Sequence, residues 1–421
     1  MYDINDSWLS QPPKYTTFRI NSLKKFSFCQ LEQVLKNQAD ELNISVLPNY
    51  YKLNPDCLIL EQWSYNELNL EKTNNDAIVD ALCAAAVLRG SHVFAPGVMG
   101  LPTNCKLNGK INIYGDLEGN CKRGLKVKYN GKKLYVGYGI LKMLRHDLFD
   151  KEKSSGMAIQ TLMPASKLPV VNETIYEEGV LLLQNLPSIV CGWVVNAKAN
   201  EFILDMCAAP GNKTTHLAEM SNNQAKIIAI DKTSQKTEKI KQLCIKHEVQ
   251  CVKIYTADST KCCSKDSLGV DAGPPFPPNS FDKVLLDAPC SGLGQRPQLN
   301  NKITPKMLES YKFVQRKLLS TAVDLLKVGG KLIYSTCTVT VEENEGLVNW
   351  ALEKYPSLKL IPSHPLMGGP GLPSCGLNDD QRLMVQRFRP EVDILRPTEA
   401  IYRDTIGFFI ATFTKTANKD K

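Results

Sequence analysis

From about residue 170 to the C-terminus, short apolar segments alternate with longer amphipathic ones, and this pattern restricts the possible fold more than any other feature. The apolar segments have the length of strands, and the amphipathic segments have the spacing of helices. Such alternation predicts a largely parallel, doubly wound, Rossmann-like α/β sheet. The expected strands are Phe202–Asp205, Ile227–Asp231, Cys251–Thr256, Val284–Asp287, Leu332–Ser335 and Phe408–Phe413, and the expected helices include Thr214–Met220, Lys236–His247 and Pro305–Leu326.

The remaining pattern indicates two smaller parts ahead of this sheet, since 421 residues usually form two or three domains. We expect a small mixed α/β unit at residues 1–76, a mostly β module at 77–169 and the doubly wound domain at 170–421. The elements expected in the first two parts are strands at Thr16–Asn21, Cys57–Leu60, Gly115–Leu117, Leu125–Tyr129 and Leu134–Gly139, a helix at Leu31–Leu42, a polar linker at Ser64–Asp76 and a hairpin turn at Asn130-Gly131. The Pro-rich segment Gly273–Asn279 is expected to form a surface loop within the sheet domain.

Composition limits the classes of protein that the chain can belong to. No apolar stretch approaches the ~20 residues of a membrane span, and Met1–Ser10 lacks the basic start and apolar core of a signal peptide. Fourteen cysteines in such a chain indicate reduced thiols, and without a Cys-x-x-Cys pair or clustered histidines we expect no metal site. We therefore expect a cytoplasmic protein with no membrane partner. A net charge of +8 is compatible with a nucleic-acid partner, but many other proteins carry as much.

Three predicted strands end at or beside an acid, where an open parallel sheet binds its ligand. The first runs from Asp205 through a Gly-containing turn into a helix at Thr214, and the next two end at Asp231 and near Asp258. Asp231 could accept hydrogen bonds from ribose hydroxyls, and Asp258 from an adenine amino group. The G-x-G-x-x-G pyrophosphate motif is missing, which favours a ligand with a carboxylate and a sulfonium. The alternative is that each acid only caps the following helix.

Two cysteines follow the ends of the next two predicted strands, in the sequences Asp287-Ala-Pro-Cys290-Ser-Gly and Ser335-Thr-Cys337-Thr. If the strands are neighbours, both thiols open onto one crevice beside the ligand. A thiolate suits methylation of cytosine, because its addition to carbon 6 makes carbon 5 nucleophilic. A lone strand cysteine is more often a packing residue. The spacing does not show which thiol attacks.

These motifs resemble the SUN-domain (NSUN-type) RNA cytosine-5 methyltransferases over roughly residues 169–414. The residues that carry the resemblance are Asp205–Thr214, Asp287–Gly292 and Ser335–Thr338. In this family the later cysteine, here Cys337, is the nucleophile, and the earlier one, here Cys290, is associated with resolving the adduct. DNA cytosine-5 methyltransferases use the cysteine after a proline, which would be Cys290.

The resemblance also implies S-adenosylmethionine as cofactor and a set of residues around it. Asp287 is expected to hold the amino and ring-nitrogen edge of the target base as well, and Lys213 to lie near both ligands. The chain has Asn212 where the family usually has glycine, and because asparagine tolerates left-handed backbone we expect the turn to survive. The implied cofactor residues are Cys207, Ala208, Ala209, Pro210, Gly211, Asn212, Lys213, Asp231, Asp258 and Asp287.

The middle module resembles a PUA domain, a small RNA-binding β-barrel, in Val93–Val98 and Tyr135–Gly139. Between Lys122 and Arg145 there are eight basic residues and no acid, with tyrosines interleaved, which suits phosphate contact and base stacking. A charge run is otherwise a solvated face. The expected RNA-binding residues are Lys122, Arg123, Lys126, Lys128, Tyr129, Lys132, Lys133 and Tyr138.

A PUA module ahead of this catalytic domain points to the tRNA-acting, PUA-containing branch of the family, with a target near the acceptor end. We accordingly expect a monomeric tRNA cytosine-5 methyltransferase in which the N-terminal unit also helps to bind RNA. The alternatives are an RNA-binding protein that has lost activity, a DNA methyltransferase and a Rossmann dehydrogenase. Intact Cys290, Cys337 and Asp287 disfavour the inactive RNA-binding protein. The Ser-Thr-Cys-Thr motif disfavours the DNA methyltransferase, and the missing glycine motif disfavours the dehydrogenase.

Overall fold

The computed structural model describes residues 8–64, 73, 75–150 and 154–417. The chain forms two compact units. One contains the described residues of Met1–Phe18, Ser27–Glu177 and Arg296–Lys302, and the other contains those of Arg19–Phe26, Glu178–Gln295 and Ile303–Lys421. Most of the linker predicted at Ser64–Asp76 lies outside the described residues. The three-domain division stays a prediction.

The described residues of the N-terminal half form nine strands and three α-helices. Strand β3 lies between β1 and β2, and a separate six-stranded sheet has the order β5-β9-β8-β7-β4-β6, antiparallel except for the β4–β7 pair. The predictions of β1, α1, β3 and β8 are confirmed. The elements are β1 (Tyr15–Ile20), α1 (Cys29–Leu42), β2 (Tyr50–Asn54), β3 (Cys57–Glu61), β4 (Asp76–Val79), α2 (Ala81–Leu88), β5 (Val93–Phe94), β6 (Val98–Gly100), β7 (Lys110–Asp116), β8 (Lys133–Leu141), α3 (Arg145–Phe149) and β9 (Met157–Pro164).

The predicted strand Leu125–Tyr129 and the hairpin turn after it are wrong, and the strand expected at Gly115–Leu117 covers only the end of β7. Residues 117–132 form one long loop between β7 and β8. The Asp116 carboxylate accepts backbone N–H groups of Glu118, Gly119 and Cys121 and, at 2.9 Å, the Tyr129 hydroxyl. These side-chain hydrogen bonds satisfy loop backbone that a strand would have paired, which is how aspartate competes with regular structure.

The C-terminal half forms one eight-stranded sheet flanked by helices. Its strand order is β13-β12-β11-β14-β15-β18-β16, with β17 also paired to β18, and the first five of these strands are parallel. All six predicted strands and all three predicted helices are confirmed, with small shifts at their ends. The elements are β10 (Leu181–Leu183), α4 (Leu186–Val195), β11 (Phe202–Asp205), α5 (Asn212–Met220), β12 (Lys226–Asp231), α6 (Ser234–Lys246), β13 (Val252–Thr256), β14 (Phe281–Asp287), α7 (Pro305–Leu325), β15 (Leu326–Thr336), α8 (Glu345–Lys354), β16 (Leu358–Ile361), α9 (Asp379–Met384), β17 (Gln386–Phe388), α10 (Ala400–Arg403) and β18 (Phe408–Lys415).

The segment Gly273–Asn279 is a loop, as predicted, but it is anchored in the core. Phe276 is fully buried and meets the ring of Phe281 edge-on at 5.3 Å. Burial of a phenylalanine side chain stabilises a fold by about 1.5–3 kcal/mol, enough to fix an otherwise irregular segment. The same core contains apolar residues of β11, β12, β14 and β15, so the loops that follow these strands begin at well-packed positions.

No helix among the described residues combines the length and the apolar character needed to cross a membrane. The described part of the chain also has no group of three or more histidine, cysteine, aspartate or glutamate side chains placed to hold a metal ion. All fourteen cysteines are free thiols.

Candidate active site

The order of strands in the large sheet reverses between β11 and β14. From β11 the chain moves outward to β12 and β13, then returns to β14 and continues outward to β15. Loops that follow neighbouring strands therefore diverge at this point, and open parallel sheets bind ligands in the crevice so formed. The acids and cysteines predicted from the sequence all lie at this edge, because each follows the carboxyl end of one of these strands.

Asp231 ends β12 and organises the loop that follows β11. Its side chain is 6% exposed, and its Oδ2 accepts the backbone N–H of Ala209 at 3.1 Å. Its Oδ1 accepts the N–H of Lys232 at 2.7 Å and lies 3.1 Å from the Lys236 ammonium. A carboxylate held in this way has a fixed orientation at the strand edge. It does not cap a helix through its side chain.

Asp258 follows β13 and does cap a helix. Its Oδ1 accepts the N–H and the hydroxyl of Thr260 at 3.0 and 2.7 Å, at the start of the short 3₁₀ helix Ser259–Lys261. The Thr260 hydrogen bonds lower the pKa of Asp258 and keep it ionised. The capping interpretation is therefore correct for Asp258, although the carboxylate remains partly exposed at the same edge as Asp231.

The turn between β11 and α5 depends on Gly211. This residue has a φ of +112°, and a Cβ there would lie 3.3 Å from the Cα of Ile240. Left-handed backbone and a close neighbour both favour glycine. Asn212 is the first residue of α5, so the turn does not depend on the tolerance of asparagine for left-handed backbone. The turn itself is intact.

Lys213 and Asp287 form an ion pair that joins the loop after β11 to the end of β14. The Lys213 ammonium lies 2.8 Å from Asp287 Oδ2, and Oδ1 of the same carboxylate accepts the Ser335 hydroxyl at 2.7 Å. The Lys213 side chain is 11% exposed. Burial favours the neutral amine, but the charge and hydrogen bond of Asp287, together with the nearby Cys191 and Cys337, outweigh it and raise the pKa of Lys213. The site therefore keeps a positive charge beside β15.

The two cysteine thiols lie together, with Cys290 Sγ 3.5 Å from Cys337 Sγ. Cys337 directly follows β15, and Cys290 follows β14 by three residues. A hydrogen bond from the Cys290 thiol lowers the pKa of Cys337; burial opposes this shift and the Lys213 charge supports it. The same hydrogen bond, together with burial, raises the pKa of Cys290. Cys337 is accordingly the better nucleophile of the pair.

Two further cysteines near the site stay protonated. Cys207 lies in the loop after β11, and Cys191 lies in α4. Burial raises the pKa of Cys207 and raises that of Cys191 to about 12. Neither thiol is suited to nucleophilic attack at neutral pH, and Cys207 belongs to the site only through its place in the turn.

The basic loop of the other unit keeps five of its predicted residues exposed, and these are Lys122, Arg123, Lys126, Lys128 and Lys132. Arg123 and Lys133 nevertheless have structural partners. Arg123 donates to the carbonyls of Pro96, Val98 and Leu148, and Lys133 pairs with Asp76 at 2.9 Å.

The two predicted tyrosines of this loop region are held within the fold. Tyr129 donates its hydroxyl to Asp116, and Tyr138 is 8% exposed. The exposed lysines are therefore the part of the predicted RNA-binding set with side chains available for an anionic partner.

Several polar residues that support the site are absent from the sequence-based predictions. Glu343 and Asn344 are buried just before α8; Glu343 accepts a hydrogen bond from the Cys290 loop, and Asn344 donates one to the Cys337 loop. Arg19, which is distant in sequence, donates a hydrogen bond to Thr215 near the start of α5. Glu342, Glu343 and Asn344 form a run of two acids and an amide directly before α8, and this run could have identified Glu343 and Asn344 from the sequence. Arg19 has no comparable signal.

Comparison with known proteins agrees with this geometry. A family model described as 16S rRNA methyltransferase RsmB/F matches residues 193–374. The chain is 39% identical to the tRNA (cytosine(72)-C(5))-methyltransferase NSUN6 of Mus musculus, over 97% of this chain and 88% of that protein. It is 39% identical to NSUN6 of Homo sapiens, over 97% of this chain and 90% of that protein.

A solved structure is similar over nearly the same length. The crystal structure of NSun6 from Pyrococcus horikoshii with SFG matches with a TM-score of 0.72 and 30% identity, covering 98% of this chain and 93% of that one. The similarity therefore extends through both units as well as the cysteine-bearing sheet. By identity, coverage and fold, the chain belongs to the NSUN-type family of RNA cytosine-5 methyltransferases.

Proposed function

We propose that this protein is an S-adenosylmethionine-dependent tRNA methyltransferase that methylates carbon 5 of a cytosine near the acceptor end, at position 72. The observation that carries the proposal is the pair of thiols 3.5 Å apart at the ends of β14 and β15, beside the Lys213–Asp287 ion pair. Membership of the family and the names of the NSUN6 relatives support the reaction and the position.

The strand edge fits S-adenosylmethionine. Asp231 is a fixed carboxylate suited to ribose hydroxyls, Asp258 is placed for the adenine amino group, and the small residues before Gly211 let the backbone approach the methionine end. When bound, the cofactor supplies a methyl group on an electrophilic sulfonium. The residues that would hold it are Cys207, Ala208, Ala209, Pro210, Gly211, Asn212, Lys213, Asp231, Asp258 and Asp287.

In the proposed reaction, the Cys337 thiolate adds to carbon 6 of the cytosine and an Sγ–C6 bond forms. The ring electrons then make carbon 5 nucleophilic, so that it takes the methyl group. Asp287 holds the amino and ring-nitrogen edge of the base, and Lys213 keeps that carboxylate in place and favours the thiolate. The carbon-5 proton then passes to solvent, the Sγ–C6 bond breaks with its electrons on the Cys337 sulfur, and the aromatic ring is restored; the thiol of Cys290 assists by donating a hydrogen bond to the departing sulfur.

We propose that the mostly β module is a PUA-like RNA-binding domain whose exposed lysines contact tRNA phosphates, and that the N-terminal unit also helps to bind RNA. The four lysines Lys122, Lys126, Lys128 and Lys132 support the first assignment, because counterion release from phosphates favours exposed cations. Free thiols throughout the chain suit the reducing cytoplasm.

The function is tested by incubating the purified protein with S-adenosylmethionine and a tRNA transcript, followed by bisulfite sequencing. We expect one cytosine, at position 72, to become resistant to deamination, and none in a transcript with uridine there. Methylation of a DNA duplex but not of tRNA would instead identify a DNA methyltransferase. Binding of tRNA with no protected cytosine would identify an RNA-binding protein without activity.

A further inference from the structure

Glu343 is a buried carboxylate, 1% exposed, that accepts four hydrogen bonds from three different elements. Its Oε1 accepts the backbone N–H of Ser291 at 3.0 Å and the side-chain amide of Gln315 in α7 at 2.9 Å. Its Oε2 accepts the hydroxyls of Ser291 at 2.6 Å and Thr340 at 2.8 Å. A carboxylate with this many donors is well satisfied, so its burial needs no opposite charge in direct contact.

These hydrogen bonds connect the two cysteine loops. Ser291 is the residue after Cys290, and its hydroxyl also lies 2.7 Å from the hydroxyl of Thr338, the residue after Cys337. Because the single Ser291 hydroxyl proton goes to Glu343, Thr338 donates to Ser291. The carboxylate therefore sets the direction of the hydrogen bond that ties one loop to the other.

Asn344, the next residue, fixes the chain on both sides of Cys337. Its Oδ1 accepts the Thr336 hydroxyl at 2.6 Å, and its Nδ2 donates to the carbonyl of Thr338 at 3.1 Å. The Tyr334 hydroxyl donates to the carbonyl of Glu343 at 2.6 Å, so the backbone of Glu343 is itself held by β15. The hydrogen bonds of Glu343 and Asn344 therefore hold the loops that carry the two thiols.

The charge of Glu343 also distinguishes the thiols. A hydrogen bond with Cys337 is the main cause that raises the pKa of Cys290, followed by burial, and the negative charge of Glu343 adds to them. For Cys337, the hydrogen bond with Cys290 lowers the pKa, burial and the charge of Asp287 oppose this shift, and the positive charge of Lys213 supports it. The titratable groups that face Cys290 are Cys337 after β15, Tyr334 within β15 and Glu343 before α8.

We propose that Glu343 is a positioning residue that holds the Cys290 and Cys337 loops at their working separation and places a negative charge beside the Cys290 loop. The inference rests on the proposed function for its kinetic consequence but not for its effect on the thiols. Glu343 does not touch the substrate; it acts through Ser291, Thr338 and its charge. Glu343 near Cys290 and Lys213 near Cys337 thus add opposite charges to the surroundings of two thiols that share one hydrogen bond.

The charge effect is tested in a Cys337→Ser background, where Cys290 has no partner thiol. The rate of iodoacetamide alkylation of the Cys290 peptide is followed by mass spectrometry as a function of pH, without RNA. Glu343→Gln should lower the pH of half-maximal alkylation by about one unit, since the nearby negative charge is removed. Glu342→Gln, an exposed neighbouring acid, should leave it unchanged. No shift, or an upward shift, in Glu343→Gln overturns the assignment.

The positioning effect is tested in the otherwise wild-type chain. Glu343→Gln should lower kcat for tRNA methylation by about tenfold to a hundredfold, because displacement of reacting groups is costly, at unchanged affinity for S-adenosylmethionine. Glu342→Gln should match the wild type, and a Glu343→Gln variant with wild-type kcat overturns the proposal. If Glu343→Gln loses cofactor affinity through misfolding, Thr340→Val, which removes one hydrogen bond and keeps the charge, takes its place. It should lower kcat at unchanged cofactor affinity, and unchanged kcat then overturns the positioning role. A wild-type protein that methylates no tRNA would refute the proposed function, whereas the alkylation profile tests Glu343 in either case.

Discussion

Cys290 and Cys337 carry the same functional group 3.5 Å apart, yet their surroundings make them unequal. The hydrogen bond between them lowers the pKa of Cys337 and raises that of Cys290; the charge of Lys213 adds to the first shift, and burial and the charge of Glu343 add to the second. A protonated thiol is unsuited to attack on carbon 6 but can donate a hydrogen bond to a departing sulfur. The difference between the two residues therefore comes from their shared hydrogen bond and from the burial and charges that the fold brings to each of them.

Cys290→Ala should accumulate a protein–RNA species that survives denaturing gels, because the Cys337 adduct forms and is not resolved. The double variant Cys290→Ala, Cys337→Ala should give no such species, and Cys337→Ser alone should lower methyl transfer by orders of magnitude at nearly unchanged cofactor affinity. If the adduct appears instead with Cys337→Ala and is missing from Cys290→Ala, the two roles are reversed.

The rate of methyl transfer should depend on pH through Cys337. The thiolate reacts, so kcat/KM should rise as pH increases through the lowered pKa of this group. Lys213→Met removes the positive charge that favours the thiolate and leaves Asp287 unneutralised beside it, so the rising limb should move to higher pH. A pH–rate profile of Lys213→Met measures the shift, with the exposed Lys239→Met as control. A limb that stays in place, or moves to lower pH, would contradict the assignment of Lys213.

At the scale of elements, the end of β12 determines the shape of the loop after β11. Asp231 accepts the N–H of Ala209, so the carboxylate proposed to bind ribose also fixes the cofactor loop. Asp231→Ala should weaken S-adenosylmethionine binding by about 1–3 kcal/mol, as expected for lost hydrogen bonds to a charged group. Calorimetry measures this, with the exposed Asp266→Ala as control. Equal affinity in both variants would show that Asp231 does not contact the cofactor.

Helix α5 is anchored by a buried charged cluster. Arg19 contacts Glu219 at 2.9 Å and the Thr215 hydroxyl at 2.7 Å and also donates to the carbonyl of Asn212, while His247 lies 3.0 Å from Glu219. Arg19→Met should reduce the free energy of unfolding by about 3–5 kcal/mol, because it leaves a buried carboxylate without its partner. Chemical denaturation tests this, and the exposed Lys25→Met should have little effect. A loss below about 1 kcal/mol for Arg19→Met would contradict the prediction.

The same cluster should make stability depend on pH. Burial alone would raise the pKa of Glu219, but Arg19, His247 and His216 together outweigh it, with Arg19 the largest of the three, and the pKa is lowered. A lowered carboxyl pKa stabilises the fold above its unfolded value of about 4.3, and that contribution is lost as pH falls through the folded value. The unfolding free energy of the wild type should therefore fall more steeply below pH 4 than that of Arg19→Met. Parallel curves for the two proteins would show that the ion pair does not cause the acid sensitivity.

For the whole molecule, the net charge of +8 matters through its distribution. Lys126→Ala with Lys128→Ala should weaken tRNA binding and reduce the salt dependence of log Kd by about one unit per lysine. The exposed pair Lys239 and Lys241 in α6, changed in the same way, is the control. Fluorescence titration at several salt concentrations gives both slopes. Unchanged affinity and slope in the Lys126, Lys128 variant would identify the loop as a solvated surface.

The sequence was enough to predict the doubly wound sheet, its six main strands and the two cysteines at adjacent strand ends, because apolar periodicity and strand-end motifs are local signals. The prediction failed at Leu125–Tyr129, where the Asp116 carboxylate at the end of β7 accepts backbone N–H groups of the loop, and it did not show that α5 begins at Asn212. Only the folded chain shows the partners of Lys133, Tyr129 and Arg123, the anchoring of α5 by Arg19, and the position of Glu343 against both cysteine loops. These contacts join residues distant in sequence, and burial and charge act through space, so no local pattern could specify them.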